Sequence, residues 1–582
     1  MMKTEQLQLT TNEVGKLVNQ SFKNEIVEIQ NPTCADLDSL IGINNRPIKQ
    51  FFINSLNNGY SHELMGHLFE KSLEKFDRKD KGQFYTPKSI VEYMISQLDV
   101  KNDSRILDPS CGCGSFLLTV FDIFRKKYGV QTIRNIFGVD INEDAINMTR
   151  LCLYSKTDFK SNYVSLIKQN IKTGNSIVAN KLFDKNAFVW DAEFKDVLDS
   201  GGFDFIIGNP PYVTLSGFVR FDATESIYQK IIDGHVNAAT LMIGRSLELL
   251  KENGVLTFLL PKSILYVDAY AKLRKYLAHN TEIFQIYDLG SKFKDVRGEQ
   301  FILFIRKKLP TKDSKVKICV FNAKAKCLSE QFCTTVQQNK FISTGKFHTF
   351  DFSEHYDLIS KLSGIGIKLN EFVDGKIFRG LPIGGNRVEV NNNRFQEKVI
   401  RGRDITKFKL KLLPVVDGKL IEAQSQNKIS IIRQKKIVLQ NIFSSESGVI
   451  AAYDPNKLLS LDTVTNIIVR NDDEGKYLLA LMNSKLINFY ITHSLFNKSR
   501  LTMHLDKSYI GSIPIITDPD KRSFNCLKEI IDTLNKTDDF KLRKQKNKEI
   551  DQIVYALYSF NNQEIKLVEE AMDKMLSQKS VW

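Results

Sequence analysis

The chain has 582 residues, 42% of them hydrophobic and 26% charged, which gives it room for about three or four domains with real apolar cores. Its 82 Lys and Arg against 67 Asp and Glu leave a formal charge of +15, which suits a polyanionic partner without identifying one. No run approaches the roughly 18 apolar residues of a membrane span, and Met1 to Gln8 lacks a signal peptide's apolar core, so a cytoplasmic protein that does not engage a membrane is expected.

From the start of the chain, residues 1–80 read as a helical extension, with apolar residues at helical spacing across Ile48 to Leu56 and His62 to Phe76. No Asp followed by Glu-x-Lys on neighbouring strands occurs there, which argues against a fused nuclease. After Gly82-Gln83-Phe84-Tyr85-Thr86-Pro87 comes Arg105-Ile106-Leu107-Asp108-Pro109-Ser110-Cys111-Gly112-Cys113-Gly114-Ser115-Phe116. This is a short apolar strand, a glycine turn and the start of a helix continuing through Phe121, which together make a cofactor loop. Gly112 and Gly114 permit close backbone approach, and Asp108 is placed to orient a charged amine or its water shell. Cys111 and Cys113 read as small side chains filling a tight turn, not as metal ligands. The eight cysteines show no spacing for a disulfide framework or a zinc site, and no metal is expected.

Asn135 to Ile141 is the next buried strand, ending in Asp140 roughly 30 residues after the loop, as a ribose-binding carboxylate does in a nucleotide-binding βαβ unit. Ile141, directly after it, is grouped with the cofactor contacts. On this pair alone a dinucleotide dehydrogenase also fits, because the glycine pattern is only G-x-G.

Phe203 to Gly208 is a buried strand of a parallel sheet that ends in Asn209-Pro210-Pro211-Tyr212, at the carboxyl edge where open α/β sheets bind ligands. That turn is suited to a planar amine. The Asn209 side-chain oxygen and the Pro210 carbonyl can each accept an amine hydrogen, which draws the nitrogen towards tetrahedral geometry and frees its lone pair. The Tyr212 ring can stack on a base face, a contact of roughly 1–3 kcal/mol. No Pro-Cys nucleophile of the kind that attacks cytosine is present, and none is needed for an exocyclic amine.

Further on, Met242 to Leu250 reads as a helix, Gly254 to Lys262 as a strand and turn, Ala269 to Leu277 as a helix, and Ile283 to Gly290 and Phe301 to Ile305 as closing strands. Past Arg306-Lys307-Lys308, with Pro310 to Lys315 as the linker, the pattern changes to short β segments with Gly- and Arg-rich turns, and a second domain is expected. Arg379, Arg401 and Arg403 in those turns are candidates for DNA contact, although for any single cation solvent and phosphate roles outnumber base readout. Tyr477 to Tyr490 reads as a helix. Cys526 to Met575 reads as a charged helical stretch packing through Leu534, Leu542, Ile550, Ile553, Leu557 and Leu567.

Taken in order, Gly82 to Pro87, the loop from Asp108 to Phe116, Gly138-Val139-Asp140, Gly174-Asn175-Ser176 and Gly208 to Tyr212 resemble the gamma-class N6-adenine DNA methyltransferases of restriction-modification systems, the TaqI-like enzymes. The resemblance covers roughly residues 60 to 310, and the ordered set is far more specific than any one motif. It implies an α/β, Rossmann-like S-adenosylmethionine-dependent methyltransferase domain over 81–310, behind the helical extension 1–80. A mixed α+β target-recognition domain over 320–525 and a helical segment over 526–582 would follow. It implies S-adenosylmethionine as cofactor, with Tyr85 and Thr86 near its methionine end, Asp108 and Gly112 near its amino acid part and Phe116 flanking the pocket. Asp140 would hold the ribose and Asn175 would lie near the adenine, with Asn209 also among the cofactor contacts. Two departures stand out: an acid is common where Asn175 stands, and Asn237 to Leu241 lacks the Asp-Leu-Tyr that many relatives carry there. Phe293 is the implied second stacking surface for the base. Segments around Phe378 to Asn386, Val399 to Ile405 and Lys498 to Pro514 resemble parts of the family's recognition domain.

Three functions stay open. The first is a monomeric enzyme that methylates an adenine flipped out of double-stranded DNA, with a separately encoded endonuclease as a further partner. The second is a methyltransferase acting on RNA or on a protein glutamine amide. The third is a DNA specificity subunit without catalysis. A basic, β-rich C-terminal half favours the first over the second, and an intact cofactor loop and Asn-Pro-Pro-Tyr turn favour it over the third.

Overall fold

The computed structural model describes residues 33–72, 86–215, 226–233, 236–290, 298–321, 333–350, 354–383, 396–411, 413–444, 447–499, 501 and 503–576. They form two compact units, Met1–Ile264 with Ala269–Lys346, and Phe347–Trp582 with Leu265–Asp268.

The first unit is built on strands β1 (Ile106–Asp108), β2 (Ile136–Asp140), β3 (Ile171–Thr173), β4 (Phe203–Gly208), β5 (Leu250–Pro261), β6 (Glu282–Gly290), β7 (Gln300–Arg306), β8 (Lys315–Val320) and β9 (Cys333–Gln337). They make one sheet in the order β3-β2-β1-β4-β5-β7-β6-β8-β9. β3, β2, β1, β4 and β5 pair in parallel, whereas β7 runs antiparallel to both β5 and β6. β1 and β2 are buried along their whole length, as the continuous apolar runs predict for a parallel sheet covered on both faces. Helix α5 (Ser115–Tyr128) follows β1 and α6 (Glu143–Lys156) follows β2. On one face Phe137, Phe194 and Phe203 pack edge to face at 5.3 to 6.0 Å between ring centroids, each pair contributing about 1 kcal/mol beyond simple burial.

Ahead of the sheet lie helices α1 (Cys34–Ile41), α2 (Arg46–Asn57), α3 (His62–Ser72) and α4 (Lys88–Ser96). Their buried faces, including Leu40, Phe52, Met65 and Ile90, belong to the same core as α5 and α6. Tyr154 of α6 donates to the Asp36 carboxylate of α1 at 2.7 Å, tying the extension to the sheet layer. Residues 1–80 therefore have no separate core among the described residues.

Two expectations change here. The break expected between residues 310 and 320 is a turn inside the first unit: β8 pairs in parallel with β6, and β9 pairs with β8, so the unit runs on to Lys346. A charged, proline-containing stretch reads the same whether it links domains or turns a sheet edge. The cysteines also yield a pairing, Cys319–Cys333, because the β8–β9 register sets these two opposite each other.

In the second unit, strands Ile377–Arg379, Val464–Ile468, Lys436–Gln440 and Ala451–Asp454 form a four-stranded antiparallel sheet. Gln396–Ile400, between Val415–Asp417 and Leu459–Ser460, forms a three-stranded one. A fully buried pair, Lys436 Nζ to Asp454 Oδ2 at 2.6 Å, joins two strands of the larger sheet. The expected helix Tyr477 to Tyr490 is two helices, Asp472–Asn483 and Lys485–Tyr490, because Ser484 caps the second through Ile487 N–H. The C-terminal stretch is three helices, Lys521–Lys536, Phe540–Leu557 and Asn562–Leu576. Leu534 and Ile550 are buried as expected; Leu542, Ile553, Leu557 and Leu567 are half-buried, and Val554, Tyr555, Tyr558 and Val568 take the inner positions. Among the described residues no helix is long and apolar enough to cross a membrane.

Candidate active site

The loops after β1, β2, β3 and β4 open at one edge of the sheet around a cavity of about 330 Å³. Its walls bring together Thr86, Asp108, Gly112, Phe116, Asp140, Ile141, Asn175 and Asn209, eight of the residues singled out from the sequence. Pro211 and Val213 of the turn after β4 also line it, as do Glu70, Ser110, Ala238 and Met242. Tyr85 and Phe293 lie outside the described residues.

The loop after β1 needs its glycines. Gly114 caps α5 with φ +84°, and a Cβ there would stand 2.9 Å from Thr149, whose hydroxyl donates to the Gly112 carbonyl at 2.8 Å. Asp140 ties the loop to β2: its Oδ2 accepts from Gly112 N–H at 2.8 Å and its Oδ1 from Asn142 N–H at 2.9 Å. Ile141, beside it, is 49% exposed, an apolar surface at the cavity mouth.

Asp108 is wholly buried and its Oδ1 accepts from Ser110 N–H at 3.0 Å. Burial pushes its carboxyl up to about 8, with the negative charge of Asp140 adding to the effect. A cavity wall that holds a carboxyl at such cost to its charged form is suited to a cationic ligand. Burial likewise keeps the Cys111 and Cys113 thiols well above their usual range, in line with their role as turn fillers. Among the described residues no group of three or more His, Cys, Asp or Glu stands together as metal ligands would.

At the far end of the cavity, Asn209 Nδ2 donates to Thr86 Oγ1 at 3.1 Å, which decides the orientation of the amide. Pro210 is buried in the turn. The Tyr212 hydroxyl donates to the Leu259 carbonyl of β5 at 3.0 Å and receives Gln300 Nε2 at 3.4 Å, so the ring is anchored by its tip. Burial raises the phenol and keeps it protonated. Tyr212 is not among the lining residues, whereas its neighbours Pro211 and Val213 are.

Asn175 is more engaged than its sequence context suggests. Its Nδ2 donates to Asp184 Oδ2 at 2.7 Å and its Oδ1 accepts from Ile177 N–H at 3.2 Å. A second layer steadies this loop: Trp190 Nε1 donates to the Ser176 carbonyl at 3.1 Å and the Tyr228 hydroxyl to the Ile177 carbonyl at 2.8 Å. Ala238, within Asn237 to Leu241, and Met242, directly after it, supply apolar wall.

In the second unit, Arg401 and Arg403 line a separate cleft of about 450 Å³ with Gln440, Ile442 and Thr463. Arg401 forms a two-pronged pair with Asp404 at 2.9 and 3.1 Å, and Arg379 does the same with Asp506 at 2.6 and 3.1 Å. Arg401 therefore serves its own turn first, and Arg379 a segment 127 residues further along the chain. Arg403 is exposed and makes no hydrogen bond or ion pair among the described residues.

A parallel sheet in this order with an antiparallel β7, and a glycine loop leading from β1 into a cofactor-sized cavity, is the Rossmann-like fold of S-adenosylmethionine-dependent methyltransferases. Residues 134–294 match the family described as Eco57I restriction-modification methylase, and residues 397–515 match the TaqI-like C-terminal specificity domain. The two matches together are consistent with a restriction-modification methylase of the TaqI type.

It is 25% identical over 234 residues to the Type II methyltransferase M.TthHB8I of Thermus thermophilus, a match spanning 39% of this chain and 45% of that one. It is 25% identical over 265 residues to the Type II restriction enzyme and methyltransferase RM.Eco57I of Escherichia coli, spanning 38% and 26%. The matches thus span no more than about half the length of these relatives. Among solved structures, the Type IIL restriction-modification enzyme MmeI in complex with DNA shares the fold at a TM-score of 0.59 and 12% identity, over 89% of this chain and 82% of that one.

Proposed function

We propose that this chain is a site-specific DNA methyltransferase that moves a methyl group from S-adenosylmethionine to the N6 amine of an adenine flipped out of double-stranded DNA, as the modification enzyme of a restriction-modification system. The observation that carries the reading is that Asn209 and Pro211, in the turn after β4, share one cavity with the loops after β1, β2 and β3.

The cavity suits the cofactor in size, in its glycine-lined approach and in its carboxyls facing a cation. Glycine-loop backbone and Asp108 would face the amino acid part, Asp140 and Ile141 the ribose side, and Asn175 the adenine through what its bonds to Asp184 and Ile177 leave available. Thr86, Phe116 and Tyr85 complete the pocket in this reading. When bound, the cofactor supplies a methyl group on a sulfonium, ready for direct displacement.

The chain's own residues prepare the amine. Asn209 and the Pro210 carbonyl accept its hydrogens and localise the nitrogen lone pair, and the ring atoms of Tyr212, fixed by the bond to Leu259, offer a flat surface to the base. Phe293 is the proposed opposite surface. Unstacking the adenine costs a few kcal/mol, to be recovered by that stacking. Arg403, with Arg379 and Arg401 through whatever their ion pairs leave free, would meet DNA from the second unit. Sequencing methylated bases in DNA from cells expressing the chain tests the reading directly. N6-methyladenine confined to one short motif is expected, and its absence with cytosine methylation in its place overturns it.

A further inference from the structure

Part of the cavity wall comes from the helical extension ahead of the sheet. Helix α3 buries Met65, Leu68 and Phe69 in the common core and packs on α5 and α6. Where it meets the glycine loop it carries Gly66: a Cβ there would stand 3.3 Å from Cys113 Cβ and 3.5 Å from the Cys113 carbonyl oxygen. Residues four apart share a helix face. Glu70, one turn on, is presented to the same loop, its Oε1 3.4 Å from where a Cβ on Gly112 would be, and it lines the cavity.

Charge gives this placement its meaning. S-adenosylmethionine carries a sulfonium and an α-ammonium against a single carboxylate, so its site needs net negative charge. Among the described residues three carboxyls line the cavity. Asp140 spends its two oxygens on Gly112 N–H and Asn142 N–H. Asp108 is wholly buried, one oxygen bonded to Ser110 N–H. Glu70 is half-buried, on a flexible stem, beside the loop after β1.

We propose that Glu70 receives the α-ammonium of the cofactor's methionine, which makes helix α3 part of the cofactor site and not only a support for the catalytic sheet. The assignment rests on the S-adenosylmethionine reading above. It also accounts for Gly66 in mid-helix, a position where glycine is otherwise unfavourable: the helix must approach the loop closely for Glu70 to reach.

Calorimetric titration of the full chain with two ligands tests this. S-adenosylhomocysteine has the amino acid part, and 5′-methylthioadenosine has the same nucleoside and thioether without it. Glu70→Gln should weaken S-adenosylhomocysteine binding on the order of 10- to 100-fold, the worth of a charge-assisted hydrogen bond, and leave methylthioadenosine binding unchanged. Unchanged affinity for both ligands overturns the proposal. Parallel loss of both overturns it too, because it would mean that Glu70 only shapes the loop. If the unaltered chain binds neither ligand, the cofactor reading itself fails and this assignment falls with it.

Discussion

One added methyl group tests whether the ends of β1 and β4 are locked together beneath the cavity. A Cβ on Gly208 would stand 2.7 Å from Asp108 Oδ1, 3.2 Å from its Cγ and 3.5 Å from its Oδ2. Ordinary contact begins near 3.4 Å, so the overlap falls on a carboxyl that is wholly buried and bonded to Ser110 N–H at 3.0 Å. Turning it aside forfeits that bond; leaving it in place overpacks the site. Either course costs about 1–3 kcal/mol. Gly208→Ala should therefore destabilise the first unit by about 2 kcal/mol and weaken cofactor binding. Asp108→Ala removes the obstacle, so the double variant should recover most of the Gly208→Ala penalty. Trp190 is buried in the first unit, and in a Trp582→Phe background its fluorescence follows the urea unfolding of that unit for all four proteins of the cycle. Additivity of the two substitutions to within about 0.5 kcal/mol would refute the lock.

Asn209→Ala should lower methyl transfer about 10²- to 10³-fold while cofactor affinity in calorimetry changes little; near-normal turnover removes Asn209 from the chemistry. Because burial raises the Asp108 carboxyl from 3.8 to about 8, the folded chain holds a proton that the unfolded chain releases. Its contribution to stability is full below about pH 4 and lost as pH rises towards 8, so Asp108→Asn should flatten the fall in urea midpoint between pH 5 and 8, and identical slopes would contradict this. Arg403→Ala should weaken DNA binding and reduce its salt slope by about 1 with no change in melting temperature. Arg401→Ala, which strands the buried Asp404, should instead cost more than about 1 kcal/mol of stability; equal effects of the two on stability would void the distinction. A chain ending at Lys346 should stay soluble and bind cofactor, whereas one ending at Lys308 leaves the β6 edge unpaired and should aggregate; equal solubility in sedimentation would show that β8 and β9 are dispensable.

What could be read from the sequence and what could not divides along the distance between partners. β1, β2 and β4 are short apolar runs, each followed by its own motif, so each strand predicts itself and the chemistry at its end: Asp108 and Gly112, Asp140, Asn209. A parallel α/β sheet then brings those ends to one edge by topology, and no side-chain partner has to be guessed. The cavity was legible for that reason. Glu70 was not, because an acid on an amphipathic helix looks like any solvated surface residue, and its only local signal is Gly66 one turn earlier.

The second unit follows other rules. Arg379 is matched with Asp506, which lies 127 residues away, and this pairing, like that of Cys319 with Cys333 through the β8–β9 register of the first unit, leaves no trace in the neighbouring sequence. Arg401 is different: its partner Asp404 is three residues on, within one tight turn, and Arg-Gly-Arg-Asp could have been read as a self-capped turn and not as two DNA-facing cations. The distinction matters for specificity. A guanidinium already forked onto a carboxylate is held in that orientation with two of its five donors spent, whereas Arg403 gives up only water. In the proposed function, base readout would therefore fall most readily to Arg403, which lines the 450 Å³ cleft together with Ile442, whose 55% exposed side chain would offer an apolar contact for a thymine methyl.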